Sequence, residues 1–252
     1  MLFLYSYSYK SNIVIILYYN SQLKTMNQNV SAEKIKIFQD YLLTWFYQNG
    51  RHHFPWRKND LTSYEIVISE TLLQRTKAET IEKFYIKFLQ KFPNWDTIVQ
   101  ADIQTIEEFL KPIGLYRQRS KRFKDLAAEM TKRKGKFPIE KVELQEIPFL
   151  GQYIINSILL QIHNIPSPLL DVNMARVLER YFGERKLSDI RYDPYLQELA
   201  YRVVNHSASK EINWAILDFA AEICKARKPL CENCFLSATC KYYKKVFNRR
   251  NS

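Results

Sequence analysis

The chain has 252 residues, of which 46% are apolar and 14% aromatic, a composition that suits one or two packed domains and excludes an intrinsically disordered chain. It carries 38 Lys and Arg against 26 Asp and Glu, a formal net charge of +12 that indicates a polyanionic partner, most often nucleic acid. Only five glycines are present, which disfavours a turn-rich β architecture, and no stretch reaches the roughly 18–20 apolar residues of a membrane span.

The first 25 residues differ in composition from the rest of the chain. They include the apolar run NIVIILYY at 12–19 but lack the small-residue cleavage site of a signal peptide. A run with helical character follows from Met26. We therefore expect residues 1–25 to be a non-native or disordered extension, with a signal peptide as the alternative.

Beyond this extension, apolar residues recur at helical spacing. The first helix is predicted over 31–46, and Thr62 with Glu65 forms the capping-box pattern that opens a second one. Further helices are predicted over 79–90, 103–110, 117–133, 140–146, 152–163, 172–182, 194–205 and 211–223, separated by short breaks with Pro or Gly. The predicted fold class is all-α, with about ten short helices.

The second helix carries a carboxyl group on its apolar side. Glu70 lies three or four positions from the apolar residues at 66, 67 and 73, which places it on the buried face of its own helix. A carboxyl group there must be paired or must have a raised pKa, which suits an acid that protonates or hydrogen-bonds a leaving group. The alternative is a structural carboxyl group bonded to a neighbouring helix end.

A basic segment, GLYRQRSKRFKDL at 114–126, is the strongest candidate for contact with a polyanion. Its cationic residues are Arg117, Arg119, Lys121, Arg122 and Lys124. Phosphate neutralisation by such residues gives salt-dependent affinity without sequence information. A charge run of this kind can equally be a solvated helix face.

All four cysteines of the chain lie between residues 224 and 240. Their spacing is C-x6-C-x2-C-x5-C, formed by Cys224, Cys231, Cys234 and Cys240. Structural zinc sites usually combine two C-x2-C knuckles, whereas four thiolates on a small loop can also hold an iron–sulfur cluster. Two disulfides are the third possibility, although nothing else in the chain indicates secretion.

This spacing, directly after the helix INWAILDFAAEIC, resembles the cluster motif of the endonuclease III and MutY DNA glycosylases. These are helix-hairpin-helix base-excision enzymes, and the resemblance runs in order from about Trp56 to Cys240. It implies one four-iron four-sulfur cluster held by the four cysteines. It also implies double-stranded DNA with a mismatched or damaged base as the partner.

The stretch SETLLQRT at 69–76 is similar to the MutY segment that carries a catalytic glutamate. The resemblance assigns that role to Glu70. Gln74 and Arg75 are then candidates to fill the gap left by a flipped base or to contact its widowed partner.

EIPFLGQYIINSI at 146–158 resembles the hairpin whose usual form is L-P-G-V-G. Pro148 and Gly151 match that form, and Phe149 stands where its first glycine would be. Backbone N–H groups at such a turn bind a DNA phosphate, so Pro148, Gly151 and Gln152 join Arg117 and Arg119 as predicted DNA contacts.

The residue at position 153, Tyr153, limits which glycosylase reactions are expected. Endonuclease III-like enzymes have a lysine here that forms a Schiff base with the sugar, and MutY enzymes have a serine. Tyrosine cannot replace the lysine nucleophile. It is similar to the thymine–DNA mismatch glycosylases, which remove T or U opposite G. The alternative is a core aromatic residue.

PLLDVNMARVLERYFG at 168–183 matches the catalytic-aspartate segment of the same enzymes. The resemblance makes Asp171 the carboxylate that stabilises the oxocarbenium-like sugar or activates water. Because Asp171 precedes a helix, the alternative is a simple N-cap.

Together these features predict two helical domains with a helix-hairpin-helix motif and a C-terminal cluster loop. One domain comprises 62–165, and the other combines 26–61 with 166–252. The resemblance implies a monofunctional glycosylase for T or U opposite G in base excision repair, expected to be monomeric, cytoplasmic and nucleoid-associated. The alternatives are an adenine glycosylase acting opposite G or 8-oxoguanine and a catalytically idle DNA-binding protein.

Overall fold

The computed structural model describes residues 30–250, in which helices joined by loops are the only regular elements and no strand occurs. The predicted extension at 1–25 lies outside the described residues. The helices are α1 (Ala32–Asn49), α2 (Ser63–Leu73), α3 (Ala78–Lys91), α4 (Trp95–Gln100), α5 (Ile103–Leu110), α6 (Tyr116–Lys132), α7 (Lys141–Gln145), α8 (Gln152–Gln161), α9 (Val172–Phe182), α10 (Pro194–Val204), α11 (Ser209–Glu222) and α12 (Lys241–Arg250). The all-α prediction is therefore confirmed. Each of these helices is too short or too polar to cross a bilayer.

Sequence periodicity located most helices to within a few residues, and α5 and α9 have the predicted bounds. The capping box is confirmed, since Thr62 N donates to Glu65 Oε2 at 2.7 Å and Glu65 N donates to Thr62 Oγ1 at 3.2 Å. Two helices, α4 and α12, were not predicted. The start of α4 is nevertheless visible in the sequence, because Asn94 accepts from the Thr97 backbone N–H as an N-cap.

Two hydrophobic cores organise the helices. The first is built mainly from α2 to α8 and includes the aromatic cluster of Phe88, Phe92 and Phe123. The second is built from α1, α9, α10 and α11. Phe54 and Trp56 pack in the first core, although the predicted boundary grouped residues 26–61 with the cluster loop. The two-domain division itself stays a prediction.

A buried ion-pair network fixes the loop that follows α1. Asp218 on α11 is fully buried and accepts from Arg57 Nη1 at 2.6 Å and Nη2 at 2.9 Å. It also accepts from the backbone N–H of Arg51 at 2.9 Å and from its Nε at 2.7 Å. Because Arg57 directly follows Trp56 of the first core and Asp218 is on a helix of the second, this network ties the two cores together.

Candidate active site

One face of α8 meets a carboxyl group on α2. Tyr153, Ser157 and Gln161 are spaced by four residues, so their side chains share the face that packs against α2. Glu70 is 5% exposed, and its Oε1 accepts from Ser157 Oγ at 3.0 Å and from Gln161 Nε2 at 2.8 Å. Its other oxygen, Oε2, is buried and has no hydrogen-bond partner among the described residues. The carboxyl group as a whole is therefore poorly stabilised in its charged form, although Tyr153 lies on the same α8 face.

Burial raises the pKa of Glu70, and the hydrogen bonds from Ser157 and Gln161 only partly oppose it. The protonated form is therefore favoured above the pH range of an ordinary glutamate. A neutral carboxyl group in this position can donate a hydrogen bond or a proton as well as accept one.

Tyr153 lies where the two cores meet and packs against both of them. Burial raises its pKa well above the ordinary value, and the nearby charges of Glu70 and Asp171 raise it further. Its phenol is therefore neutral at physiological pH. Glu70 is bonded to the α8 face that carries Tyr153. Asn156 of the same helix holds the Pro168 carbonyl, three residues before Asp171. Helix α8 therefore brings Glu70, Tyr153 and the segment before Asp171 together.

Asp171 is the N-cap of α9, as the alternative interpretation predicted. Its Oδ1 accepts from the backbone N–H groups of Asn173 and Met174 at 2.9 and 2.8 Å, and its Oδ2 accepts from Asn173 Nδ2 at 2.7 Å. These bonds fix the orientation of the carboxylate. A capping role does not preclude a catalytic one, and the catalytic role stays a prediction.

Two buried asparagines fix the backbone that leads to Asp171. Asn156 on α8 donates to the carbonyl of Pro168 at 2.9 Å. Asn213 on α11 accepts from the Leu169 N–H at 2.7 Å and donates to the carbonyl of Ser167 at 3.2 Å. Both cores thereby position Asp171.

A second set of contacts connects Asp171 with the cysteine loop. Asn173, which donates to Asp171, accepts from Arg176 Nη1 at 3.0 Å. Arg176 Nε then donates to the carbonyl of Cys224 at 3.0 Å. The position of the cysteine loop is thus coupled to the orientation of the Asp171 carboxylate.

A cleft of about 680 Å³ lies beside this site. It is lined by Thr71, Gln74, Arg75, Leu115, Gln118, Arg119, Arg122 and residues 145–151. Five of the seven predicted DNA contacts, Gln74, Arg75, Arg119, Pro148 and Gly151, therefore line one cleft. The other two side chains lie outside the lining: Gln152 donates to Gln197 Oε1 at 2.7 Å, and Arg117 is exposed with its guanidinium over the Tyr116 ring.

Arg119 requires a correction, because it is not an open phosphate ligand. It is 4% exposed, and its guanidinium donates to the carbonyls of Leu72 at 2.9 Å and Gln74 at 2.6 Å, and to Thr76 Oγ1 at 2.6 Å. Arg119 therefore holds the turn that presents Gln74 and Arg75. Arg119 lies on the buried face of α6, and this position determines its role. The run of cationic residues in the sequence does not show which of them face the core.

Sequence reasoning missed Leu115 in the same cleft. It is 46% exposed and has a left-handed backbone with φ 55° at the N-cap of α6. Arg75, across the cleft, is also left-handed at φ 58°. An exposed apolar side chain in a strained turn between cations suits insertion into a base stack. The sequence signal that could have found it was a single leucine shortly before the first cationic residue of the basic segment.

The four cysteines line one small cavity of about 30 Å³. None of the four, all within the described range, forms a disulfide, so the disulfide alternative is not supported. Burial raises the pKa of Cys234 to about 11. Arg180 donates to Cys224 Sγ at 3.4 Å and to the carbonyl of Lys225 at 2.7 Å, which orients the loop and places a cation beside a sulfur ligand. Clustered thiols beside cations fit a metal–thiolate centre, because the cations offset the charge of the thiolates.

Comparison with known proteins gives concordant results. The model of the HhH-GPD superfamily base excision DNA repair proteins matches residues 68–200, and that of the iron–sulfur binding domain of endonuclease III matches residues 224–240. A thymine-DNA glycosylase of Aeropyrum pernix is 35% identical, over 83% of this chain and 96% of the relative. A thymine/uracil-DNA glycosylase of Methanothermobacter thermautotrophicus is 34% identical, over 86% and 98%. The solved structure of a thermostable thymine-DNA glycosylase has a TM-score of 0.77 at 32% identity, covering 84% of this chain and 98% of that one.

Proposed function

The chain belongs to the HhH-GPD superfamily of base excision DNA repair proteins, and from this we propose that it hydrolyses the N-glycosidic bond of thymine or uracil opposite guanine. The observation that carries the proposal is that α8 joins three groups of the site between the two cores, next to the cationic cleft. Its face bonds Glu70 and carries Tyr153. Its Asn156 holds the segment before Asp171. Relatives of similar length named as thymine or thymine/uracil glycosylases support this choice of base.

DNA binding begins at the cleft. The first N–H groups of α8 have no side-chain cap, so they are available to a phosphate near Gly151. Leu115 and Gln74 project into the same cleft and would fill the space left when a base is flipped out of the duplex. The flipped base would enter the region between the cores, beside Tyr153.

The chemistry divides between two carboxyl groups. As the bond between sugar C1′ and base nitrogen breaks, its electron pair leaves with the base, and Glu70 hydrogen-bonds or protonates that base. The Asp171 carboxylate stabilises the positive charge that develops on the sugar and accepts a proton from the attacking water. The water oxygen bonds to C1′, and the products are a free base and an abasic site.

The neutral Tyr153 phenol contributes shape and a hydrogen-bonding group but no amine nucleophile. A Schiff base with the sugar needs a lysine at this place, so we propose that the enzyme is monofunctional. Borohydride added during turnover should therefore trap no covalent protein–DNA adduct. Efficient trapping would contradict the monofunctional assignment.

The iron–sulfur binding site is formed by the four cysteines at 224, 231, 234 and 240. We propose that it holds one four-iron four-sulfur cluster, which when bound crosslinks the loop and can act as a redox centre. Arg176 and Arg180 hold the loop backbone against α9, so they define where this crosslink sits relative to Asp171. We also propose that the protein acts as a monomer on the nucleoid in the cytoplasm.

The decisive test is a panel of duplexes containing T·G, U·G, A·G or A·8-oxoguanine, incubated with the protein and then cleaved with alkali. We expect cleavage at T·G and U·G. Asp171→Asn should reduce the single-turnover rate by about 10²–10⁴-fold while keeping an N-cap oxygen, so the fold should persist. Adenine removal alone would establish the MutY-like alternative, and binding without any excision would establish the idle DNA-binding protein.

A further inference from the structure

The hairpin between α7 and α8 exposes an aromatic ring from a strained position. Phe149 has a left-handed backbone with φ 66°, a conformation that glycine adopts freely and a bulky residue does not. The ring is nevertheless 43% exposed. Its neighbours Ile147 and Leu150 are 2% and 8% exposed and anchor the hairpin in the first core. Phe149 therefore adds strain without contributing a buried side chain.

The ring is the end of a short row of groups that crosses the cleft. The guanidinium of Arg122 lies 5.7 Å from the Phe149 ring centroid, within the range of a cation–π contact. Arg122 Nη1 also lies 3.5 Å from Gln74 Oε1. Phe149, Arg122 and Gln74 all line the cleft that the proposed function assigns to DNA. The row thus joins the hairpin to the turn that follows α2.

We propose that Phe149 contacts DNA by stacking on a nucleobase that base flipping leaves unpaired. This inference rests on the proposed function, because it requires DNA in the cleft. Every base presents a π-face, and an aromatic ring next to an arginine is the surface on which unstacked bases bind. Flipping leaves the opposite base without its pairing partner and removes one stacking partner from each neighbour of the flipped base. A ring fixed at the rim of the cleft replaces that partner.

The test compares two duplexes of one sequence, one with a tetrahydrofuran abasic analogue opposite guanine and one fully paired. Phe149→Ala should weaken binding to the abasic duplex by about tenfold and leave binding to the paired duplex nearly unchanged, because only the abasic duplex contains an unpaired base. Phe149→Leu keeps an apolar side chain without a π-face and should lose most of the same affinity. With 2-aminopurine opposite the analogue, the wild type should change its emission on binding and Phe149→Ala should not.

The matched control is Tyr192→Ala. Tyr192 is also an exposed aromatic residue, at 70%, and also lies against an arginine, Arg191, but it is outside the cleft. The Tyr192→Ala variant should bind both duplexes with the affinity of the wild type. Phe149→Gly removes the ring and relieves the left-handed strain, so it should be at least as stable as the wild type in thermal unfolding. It should nevertheless lose the same affinity, which separates loss of contact from loss of folding.

Three results would overturn the inference. They are an unchanged preference for the abasic duplex in Phe149→Ala, an equal loss on both duplexes, and full retention by Phe149→Leu. Excision by the wild type together with any of these would reject the stacking role alone. Selective loss of abasic binding in Phe149→Ala, with no excision of any mismatch by the wild type, would reject the glycosylase and keep the DNA contact.

Discussion

The two carboxyl groups of the proposed site have opposite surroundings, which suits the different roles proposed for them. Glu70 is buried with one oxygen unpartnered, whereas Asp171 receives three N–H donors at the start of α9. When two neighbouring carboxyl groups have contrasting environments, one can act as an acid while the other acts as an anion. Helical periodicity sufficed to predict that Glu70 is buried. The two donors from α8 that orient it lie about 90 positions away and could not be predicted from the sequence.

The raised pKa of Glu70 predicts how stability depends on pH. A carboxyl group that binds its proton more tightly in the folded state stabilises the fold below its unfolded pKa of about 4.3. That contribution is lost as the pH rises through the folded pKa. Between about pH 4 and 8, the wild type should therefore lose free energy of unfolding relative to Glu70→Gln, which has no charge to bury. Urea unfolding of both proteins across this range measures the difference, and parallel curves would contradict it.

At the scale of elements, Arg119 shows what a charge pattern cannot distinguish. Arg117 and Arg119 are two positions apart in one basic run, yet one is exposed and the other fixes the turn after α2. Residues two positions apart on a helix point about 200° away from each other. Only the packing of α6 therefore determines which of the two arginines is buried. This packing assigns Arg119 to the turn after α2 rather than to an open phosphate contact.

Replacing Arg119 should destabilise the protein more than replacing Arg117. Arg119→Lys leaves a cation in a buried site and cannot reach its three acceptors together, so it should cost about 2–3 kcal/mol in the free energy of unfolding. Arg117→Lys keeps an exposed charge and should change that energy by less than about 0.5 kcal/mol. Chemical unfolding of the two variants gives the comparison. Equal effects would show that the buried contacts contribute little.

Asp218 joins α11 to the loop after α1, and its replacement should weaken both cores together. Burial alone would raise the pKa of Asp218, but the hydrogen bonds and charges of Arg57 and Arg51 lower it overall. Its stabilising contribution is therefore present above the unfolded pKa of about 3.9 and is lost as the pH falls through the lower folded value. Asp218→Asn leaves two arginines without their counter-charge and should cost about 3–5 kcal/mol at neutral pH.

The control for this pair is Asp40→Asn. Asp40 pairs with Lys36 on the surface of α1, where the two side chains are 54% and 72% exposed, so the change should be below about 1 kcal/mol. Thermal unfolding at pH 7 and pH 3 distinguishes the two sites. If Asp218→Asn had the small effect of Asp40→Asn, the network would not be what ties the cores together.

At the scale of the whole molecule, the sequence predicted the ingredients of the site better than their arrangement. The shared cavity of the four cysteines could be predicted, because their close spacing in one short loop brings them together. Tyr153 at the junction of two cores depends instead on contacts between helices far apart in the chain. The bonds from Asp171 through Asn173 and Arg176 to Cys224 are of the same kind, spanning 53 positions from 171 to 224.

The net charge of +12 predicts that DNA binding weakens with salt, and the cysteine loop should supply part of that dependence. Lys225, Arg227 and Lys228 are exposed there, away from the cleft. If Arg227 neutralises one phosphate, Arg227→Gln should reduce the slope of log K against log salt by about 0.9 for any DNA sequence. Lys87→Gln, which removes an exposed charge from α3, should leave the slope unchanged. Titrations at several salt concentrations measure both, and an unchanged slope for Arg227→Gln would confine the DNA contact to the cleft and the α8 hairpin.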